Sequence, residues 1–131
     1  MPESYHGYSV RQPFGGEKEY FRNAPEVAGM AAADGKIVLN PYSRNTPEQQ
    51  KAVARNEAIR LWMREHRFAP EFDITPEQEK GFAGTEYSKP ENRLALKHTI
   101  LSRILTGDPS AGKATPVQRK WAEWVGKRLP K

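Results

Sequence analysis

Apolar residues recur with a helical period along the second half of the chain. Stripes with spacings of three or four residues run from about Pro47 to His66 and from about Pro90 to Thr106. A third runs from about Pro116 to Arg128, and a shorter segment from about Pro76 to Phe82 stops at Gly81 or Gly84. Such spacing places apolar side chains on one side of a helix, so the pattern predicts four helices. The predicted apolar face of the last helix holds Val117, Trp121, Trp124 and Val125.

Three of these helices are preceded by nearly the same four residues. TPEQ occurs at Thr46–Gln49 and at Thr75–Gln78, and TPVQ occurs at Thr115–Gln118. Threonine is a good N-cap, proline is favoured in the first turn, and a glutamine three residues after the threonine can complete a capping box. The copies are 29 and 40 residues apart, so they have no fixed period and mark helix starts rather than a repeat.

The first third of the chain carries a hairpin signal instead of a helical period. Asp34-Gly35 separates a small apolar run from KIVLN, and Asp-Gly is favoured in two-residue hairpin turns where both positions need positive φ. We therefore expect a hairpin of about Ala28–Ala33 with Lys36–Leu39. The segment GEKEYFRNAP before it can form one or two helical turns.

The N-terminal segment, residues 1–16, shows neither period. Its two prolines and three glycines predict an arm that is either flexible or docked through Tyr5, Tyr8 and Phe14. The predicted fold is mainly α (α+β): about four helices and one small N-terminal β-hairpin, in a single small domain over residues 17–131.

Length and composition narrow the class of protein. The 131 residues contain no basic-then-apolar leader and no apolar run near the length of a membrane span, so we expect neither a signal peptide nor a span. The absence of cysteine excludes disulfides and thiolate zinc sites. Leu, Ile, Val and Phe make up only 23 residues, which predicts a small core and a contribution of a partner to stability.

The net charge of +5 is unevenly distributed. Residues 88–131 hold ten basic and three acidic residues, whereas residues 67–87 sum to −3. This asymmetry favours an anionic partner, either nucleic acid or an acidic protein surface; a solvated basic face is the alternative. An exposed Trp121 or Trp124 could stack on bases, although their helical spacing favours the core. The candidate residues for an anionic partner are Lys113, Arg119, Lys120, Lys127, Arg128 and Lys131.

The segment GDPSAGKA, at residues 107–114, approaches a phosphate-loop pattern. Ala114 stands where the magnesium-binding hydroxyl belongs, and a predicted helix, not a strand, precedes the segment. Pro116 starts the next helix only three residues after Lys113. The segment therefore predicts a helix–helix loop with Gly107 as its C-cap, and no nucleotide cofactor.

The segment NEAIR has the frame of the zinc-binding motif H-E-x-x-H with both histidines replaced. Asn56 is a poor zinc ligand and Arg60 is none, so we predict no metal, no cofactor and no enzymatic activity. A degenerate, inactive relative of a zinc-peptidase fold is the remote alternative. Asn56 and Arg60 lie one turn apart beside the apolar stripe, as a structural polar pair or as groove-lining residues; Arg60 can also pair with Glu57.

Three longer segments, EVAGMAAADGKIVLNPYS, NEAIRLWMRE and LSRILTGDPSAG, resemble small uncharacterised proteins encoded by tailed bacteriophages or found in viral metagenomes. The resemblance implies a virion component or an accessory factor, located in the virion or in the host cytoplasm. We therefore expect a non-enzymatic interaction protein that docks on a larger protein assembly, monomeric or as an oligomer. A nucleic-acid-binding protein that uses the basic C-terminal third is the alternative.

Overall fold

The computed structural model describes residues 4–108 and 112–130, and these form five helices and a four-stranded sheet, which confirms the predicted mainly α class. Two compact units divide the described residues: one runs up to Trp62 and includes Pro130, and the other runs from Met63 to Leu129. The elements are β1 (Ser4–Tyr5), β2 (Tyr8–Arg11), α1 (Gly16–Asn23), β3 (Gly29–Ala31), β4 (Ile37–Leu39), α2 (Pro47–Glu65), α3 (Pro76–Gly81), 3₁₀ turns at Glu86–Ser88 and Pro90–Asn92, α4 (Arg93–Thr106) and α5 (Pro116–Arg128).

The three helix-start motifs act as predicted. In each, the glutamine backbone N–H donates to the threonine hydroxyl, and the glutamine Oε1 accepts the threonine backbone N–H, at distances of 2.8 to 3.2 Å. Helices α2, α3 and α5 consequently begin at the residue after the threonine. Helix α4 lacks such a motif and begins at Arg93, three residues later than predicted, after a 3₁₀ turn.

The predicted hairpin pairs β3 with β4, and Met30 lies opposite Val38. Its turn differs from the two-residue turn that Asp-Gly suggested, in which both residues need positive φ. Gly35 has a φ of 79°, whereas Asp34 does not have a positive φ. The Gly35 N–H donates to Ala32 O, and the Ala32 N–H donates to Lys36 O. This is the three-residue loop in which a tight turn is followed by a left-handed glycine.

The predicted arm contributes two strands that its sequence did not reveal. β1 and β2 form a hairpin whose turn residues, His6 and Gly7, both have positive φ, and β2 pairs in parallel with β4 to give the order β1-β2-β4-β3. Strands of two and four residues are too short to show a period of two. The hairpin turn also contacts Pro130, whose carbonyl lies 2.8 Å from His6 Nδ1.

In the first unit, adjacent residues of β4 point to opposite faces of the sheet. Ile37 joins the buried cluster of Ala54, Ala58 and Leu61 on α2, and Tyr5 and Tyr8 pack against that cluster. Val38 packs with Phe21 of α1 and with Ala32. The sheet therefore separates an α2 layer from an α1 layer, as alternation along a strand requires.

Asn40 closes the first unit beyond the end of β4. Its side-chain N–H₂ donates to the carbonyls of Ala24 and Val27, and its Oδ1 accepts the Tyr42 N–H. The residue is 1% exposed, and these bonds satisfy an otherwise costly buried amide.

Candidate functional site

Helix α5 carries most of the predicted anion-binding residues, and its orientation differs from the prediction. Its buried residues are Gln118, Ala122 and Val125, which follow the i, i+4, i+7 pattern. Val117 is 51% exposed and Trp124 is 38% exposed, while Trp121 is half-buried. The predicted face was thus wrong by part of a turn, because a polar residue, Gln118, is buried in place of Val117.

A buried pair of side-chain amides fixes this orientation. Gln78 and Gln118 are 2% and 0% exposed, and each Nε2 donates to the Oε1 of the other at 2.8 Å. Gln118 Nε2 also donates to Asp73 O at 3.0 Å. Because both oxygens already accept the N–H of their own capping threonine, the pair links the starts of α3 and α5 with every amide group occupied.

Three nearly parallel rings form a stack along one side of α5, and a guanidinium lies at its end. The rings of His98 and Phe68 are 6.3 Å apart at an angle of 11°, and those of Phe68 and Trp124 are 5.2 Å apart at 7°. The Arg128 guanidinium carbon lies 3.7 Å from the centre of the Trp124 ring. Trp121 meets both Phe68 and Trp124 edge-on, which is a favourable arrangement of aromatic quadrupoles.

Hydrogen bonds hold this stack to the backbone. His98 is 6% exposed, and its Nε2 lies 2.6 Å from Phe68 O, to which it donates. The Trp121 indole N–H donates to Glu71 O at 3.0 Å. The inner layers are therefore fixed by α4 and by the segment after α2, which leaves Trp124 and Arg128 as the solvent-facing end.

Three of the predicted cations share the exposed side of α5 with Trp124. Lys120 precedes Trp124 by four residues, and Lys127 and Arg128 follow it by three and four, spacings that place side chains on one helix side. We call Lys120, Trp124, Lys127 and Arg128 the Trp124 face. Lys127 pairs with Glu123 at 3.1 Å, whereas Lys120 has no ion-pair partner within residues 4–108 and 112–130.

The structure places two further predicted cations, Arg119 and Lys113, apart from the Trp124 face. Arg119 is exposed on the other side of α5, five residues before Trp124. Lys113 is exposed in the loop before the helix, and Lys131 lies outside the described residues. Of the four cations on α5, three therefore surround the Trp124 indole, and one, Arg119, lies apart from it.

An open cleft of about 460 Å³ lies near the start of α5. It is lined by Glu71, Phe72, Asp73, Thr75, Thr115 and Val117. Glu71 and Asp73 are exposed, and neither has a cationic partner among the residues that the structure describes. The two threonine hydroxyls are engaged as helix caps, so the cleft offers two carboxylates and two apolar side chains to a ligand.

The second predicted group lies on α2. Arg60 donates to Glu57 Oε1 at 3.0 Å, which confirms that pairing. The Glu57 side chain is 6% exposed, and its Oε2, together with Asn56 Oδ1, has no hydrogen-bond partner among the described residues. The role of Asn56 and Arg60, as a structural polar pair or as groove-lining residues, stays a prediction.

The described part of GDPSAGKA ends one helix, and the residue that follows the segment caps the next. Gly107 adopts the left-handed conformation as C-cap of α4, as predicted, and Thr115 caps α5. Residues 109–111 of this segment lie outside the described residues. Among those described, no three His, Asp or Glu side chains are grouped as they would be around a metal ion.

Phe68 and His98 belong to the stack but were not identified from the sequence as part of a site. Phe68 follows the end of α2, outside any periodic stripe, and stands 56 residues before Trp124. The signal in the sequence is the basic segment from Arg64 to Arg67, which lies directly before this aromatic residue. In the structure that segment is exposed.

Comparisons with known proteins add no identification. A scan against protein-family models finds no match, and searches of curated proteins and of solved structures likewise find no significant similarity. The resemblance to tailed-phage proteins therefore stays a prediction. None of the described helices combines the length and the apolar character that are needed to cross a bilayer.

Proposed function

We propose that this chain is a non-enzymatic nucleic-acid-binding protein and that the Trp124 face is its binding surface. The observation that carries the proposal is an indole, 38% exposed, with Lys120, Lys127 and Arg128 within one turn of it. Cations supply phosphate contacts, and an exposed aromatic ring supplies a surface for bases. A core role alone would leave neither the exposure of the ring nor the surrounding charge accounted for.

The charge distribution supports the same surface. The net charge of +7 on residues 88–131 includes all three cations of the Trp124 face. The acidic residues at 71, 73 and 77 precede α5 in the chain. Phosphate binding by lysine and arginine releases counterions, so the affinity should fall steeply with salt. Arg128 can bind a phosphate through two N–H groups, whereas each lysine acts as a compact charge.

A matched pair of variants on α5 tests this surface. Lys120→Gln and Arg119→Gln each remove one exposed cation from adjacent positions, but only Lys120 belongs to the Trp124 face. Binding of labelled single-stranded and duplex DNA is followed by fluorescence anisotropy at about 50 mM and about 200 mM salt. We expect Lys120→Gln to reduce the salt slope by about 0.7 on single strands and Arg119→Gln to leave it unchanged.

Two results would contradict the proposal. If the wild-type protein binds neither DNA at the lower salt concentration, the Trp124 face is not a nucleic-acid surface. If both variants weaken binding equally, the contribution of α5 is a diffuse charge effect and no defined face exists. Thermal melting of both variants checks that the fold is retained.

A second candidate function is docking on a protein assembly, as expected for a virion or accessory protein. The cleft favours it, because Val117 is 51% exposed there beside the unpaired carboxylates of Glu71 and Asp73. A basic protein segment with an apolar residue would complement both features.

This candidate is tested by titration with purified virion proteins. Val117→Asp should weaken a complex at least tenfold, whereas Leu94→Asp, which alters an apolar residue of α4 that is 44% exposed and outside the cleft lining, should not. A partner that binds Val117→Asp as tightly as the wild type would exclude the cleft as the docking site.

A further inference from the structure

The outermost layer of the aromatic stack is a guanidinium and not a ring. Phe68 and the Arg128 guanidinium lie 5.2 Å and 3.7 Å from the centre of the Trp124 ring. A ring and a guanidinium at these distances would overlap if they shared one face of the indole, so they cover opposite faces. Trp124 therefore has an inner face packed against Phe68 and an outer face covered by the exposed side chain of Arg128.

We propose that an unpaired base of single-stranded nucleic acid replaces the Arg128 guanidinium on the outer face of Trp124. The released guanidinium then binds a neighbouring phosphate. This inference rests on the proposed function and specifies its ligand: a single strand with accessible bases, and not a duplex.

The exchange is favourable because each group gains a stronger partner. In the free protein Arg128 donates to Trp124 O, a carbonyl of its own helix, at 3.0 Å, and covers the indole as an exposed cation. A charge-assisted, two-pronged bond to phosphate is stronger than a bond to a neutral carbonyl. Stacking of a base on indole likewise exceeds a solvent-exposed cation–π contact.

The inner layers make the indole a prepared platform. Phe68 supports the ring from below, Trp121 contacts its edge, and His98 anchors Phe68 through a hydrogen bond to the backbone. A ring that is already held in one orientation loses little entropy when a base stacks on it. The Arg128 side chain has to move aside to admit the base.

The preference for single strands follows from base accessibility. In a duplex both faces of an internal base are covered by neighbouring pairs, so a base cannot reach the Trp124 ring without being unstacked. The bases of a single strand are already accessible, so the same contact costs it little free energy. The cations of the Trp124 face would still bind duplex phosphates, but without the stacking contribution.

The test compares two oligonucleotides with the same number of phosphates. One is a single-stranded thymidine oligonucleotide, and the other has the same backbone with abasic sites throughout its centre. Affinities come from anisotropy, and quenching of intrinsic tryptophan fluorescence reports stacking directly. The full chain is used as wild type, as Trp124→Leu, which removes the ring, and as Trp124→Phe, which keeps an aromatic ring.

We expect the wild type to bind the thymidine strand about tenfold more tightly than the abasic strand, with fluorescence quenching only for the former. Trp124→Leu should lose this tenfold difference, because without the ring the thymidine strand has nothing to stack on. Trp124→Phe should retain at least part of the difference, which keeps the test valid if the leucine variant folds poorly.

The outcomes separate this inference from the proposed function. Equal binding of the two strands by the wild type would overturn base stacking and leave phosphate binding by the Trp124 face intact. A tenfold preference for the thymidine strand that persists in Trp124→Leu, with a normal melting curve, would also overturn it. No binding of either strand at low salt would overturn the proposed function together with the inference, and protein partners would then be sought.

Discussion

At the scale of single residues, the buried glutamine pair has the largest structural consequence. Gln78 and Gln118 complete the capping boxes of their own helices and also donate to each other across 2.8 Å. Gln49 completes the third capping box but is exposed. The Thr-Pro-x-Gln pattern therefore has a purely local role at one helix start and a tertiary role at the other two.

This difference gives a direct prediction. Gln118→Met should lower the free energy of unfolding by about 1 to 3 kcal/mol, because it leaves the buried amide of Gln78 without its partner. Gln49→Met removes only one exposed capping contact and should cost about 0.5 kcal/mol or less. Urea unfolding of both variants measures the contrast.

A double-mutant cycle checks the assignment to the pair. Gln78→Met combined with Gln118→Met should cost less than the two single substitutions added together, because neither amide is then left behind. Equal costs for Gln118→Met and Gln49→Met would contradict a stabilising role of the pair.

At the scale of elements, the approach of α2 to the sheet depends on a glycine in β3. A Cβ at Gly29 would lie 3.0 Å from both Val38 O and Val53 Cγ1. One of these atoms is backbone, and the other belongs to a short branched side chain of α2, so neither can yield easily. The spacing between helix and strand is thus set by the absence of a side chain at this position.

Gly29→Ala should accordingly destabilise the protein by about 1 to 3 kcal/mol through overpacking. Gly16→Ala is the control, because it lies in the first turn of α1, has an ordinary φ and would place its Cβ in open space. We expect that control to be neutral or slightly stabilising in thermal melting. A Gly29→Ala protein as stable as the wild type would mean that α2 can shift away from the sheet without cost.

At the scale of the whole molecule, the two units are built from different kinds of contact. The second depends mainly on helices α3, α4 and α5, whereas the first depends on strand pairing between segments far apart in sequence. Arg11, at the end of β2, donates to Glu17 of α1 at 2.8 and 2.9 Å and to Asp34 of the hairpin loop at 2.9 Å. One guanidinium thus joins three segments of the first unit.

These ion pairs predict an acid-dependent loss of stability. The hydrogen bonds from Arg11 lower the pKa of Glu17 and of Asp34 below their ordinary values. The unfolded chain therefore binds more protons than the folded protein near and below pH 4, so this contribution is complete above that pH and is lost as pH falls through the lowered pKa values.

Urea midpoints at pH 7 and pH 3 measure this effect. Arg11→Gln should be less stable than the wild type at pH 7, and the difference should shrink at pH 3, which lies below the ordinary pKa values that these carboxyl groups have in the unfolded chain. Arg22→Gln is the control, because Arg22 bonds mainly to the Tyr42 hydroxyl at 3.5 Å and is only weakly attracted to one carboxylate, Glu19, so its difference should change little with pH. A constant difference for Arg11→Gln would show that its ion pairs do not contribute.

The sequence by itself determined the helices and much of the chemistry at the candidate site. The Thr-Pro-x-Gln pattern acts locally, because each cap bonds to a backbone group three residues away. The starts of α2, α3 and α5 were therefore predicted to the residue. The cations of α5 and the two tryptophans were also apparent from composition and spacing. A local pattern specifies where a helix lies but gives only an approximate face.

Tertiary structure decided which side of α5 faces solvent and what surrounds Trp124. Gln118 is buried because Gln78, forty residues earlier, completes its hydrogen bonds, and that pairing turns Trp124 toward solvent. Phe68 and His98 reach Trp124 only through the packing of the second unit. Strand β2 likewise forms through pairing with β4, a contact between distant segments that no local period records.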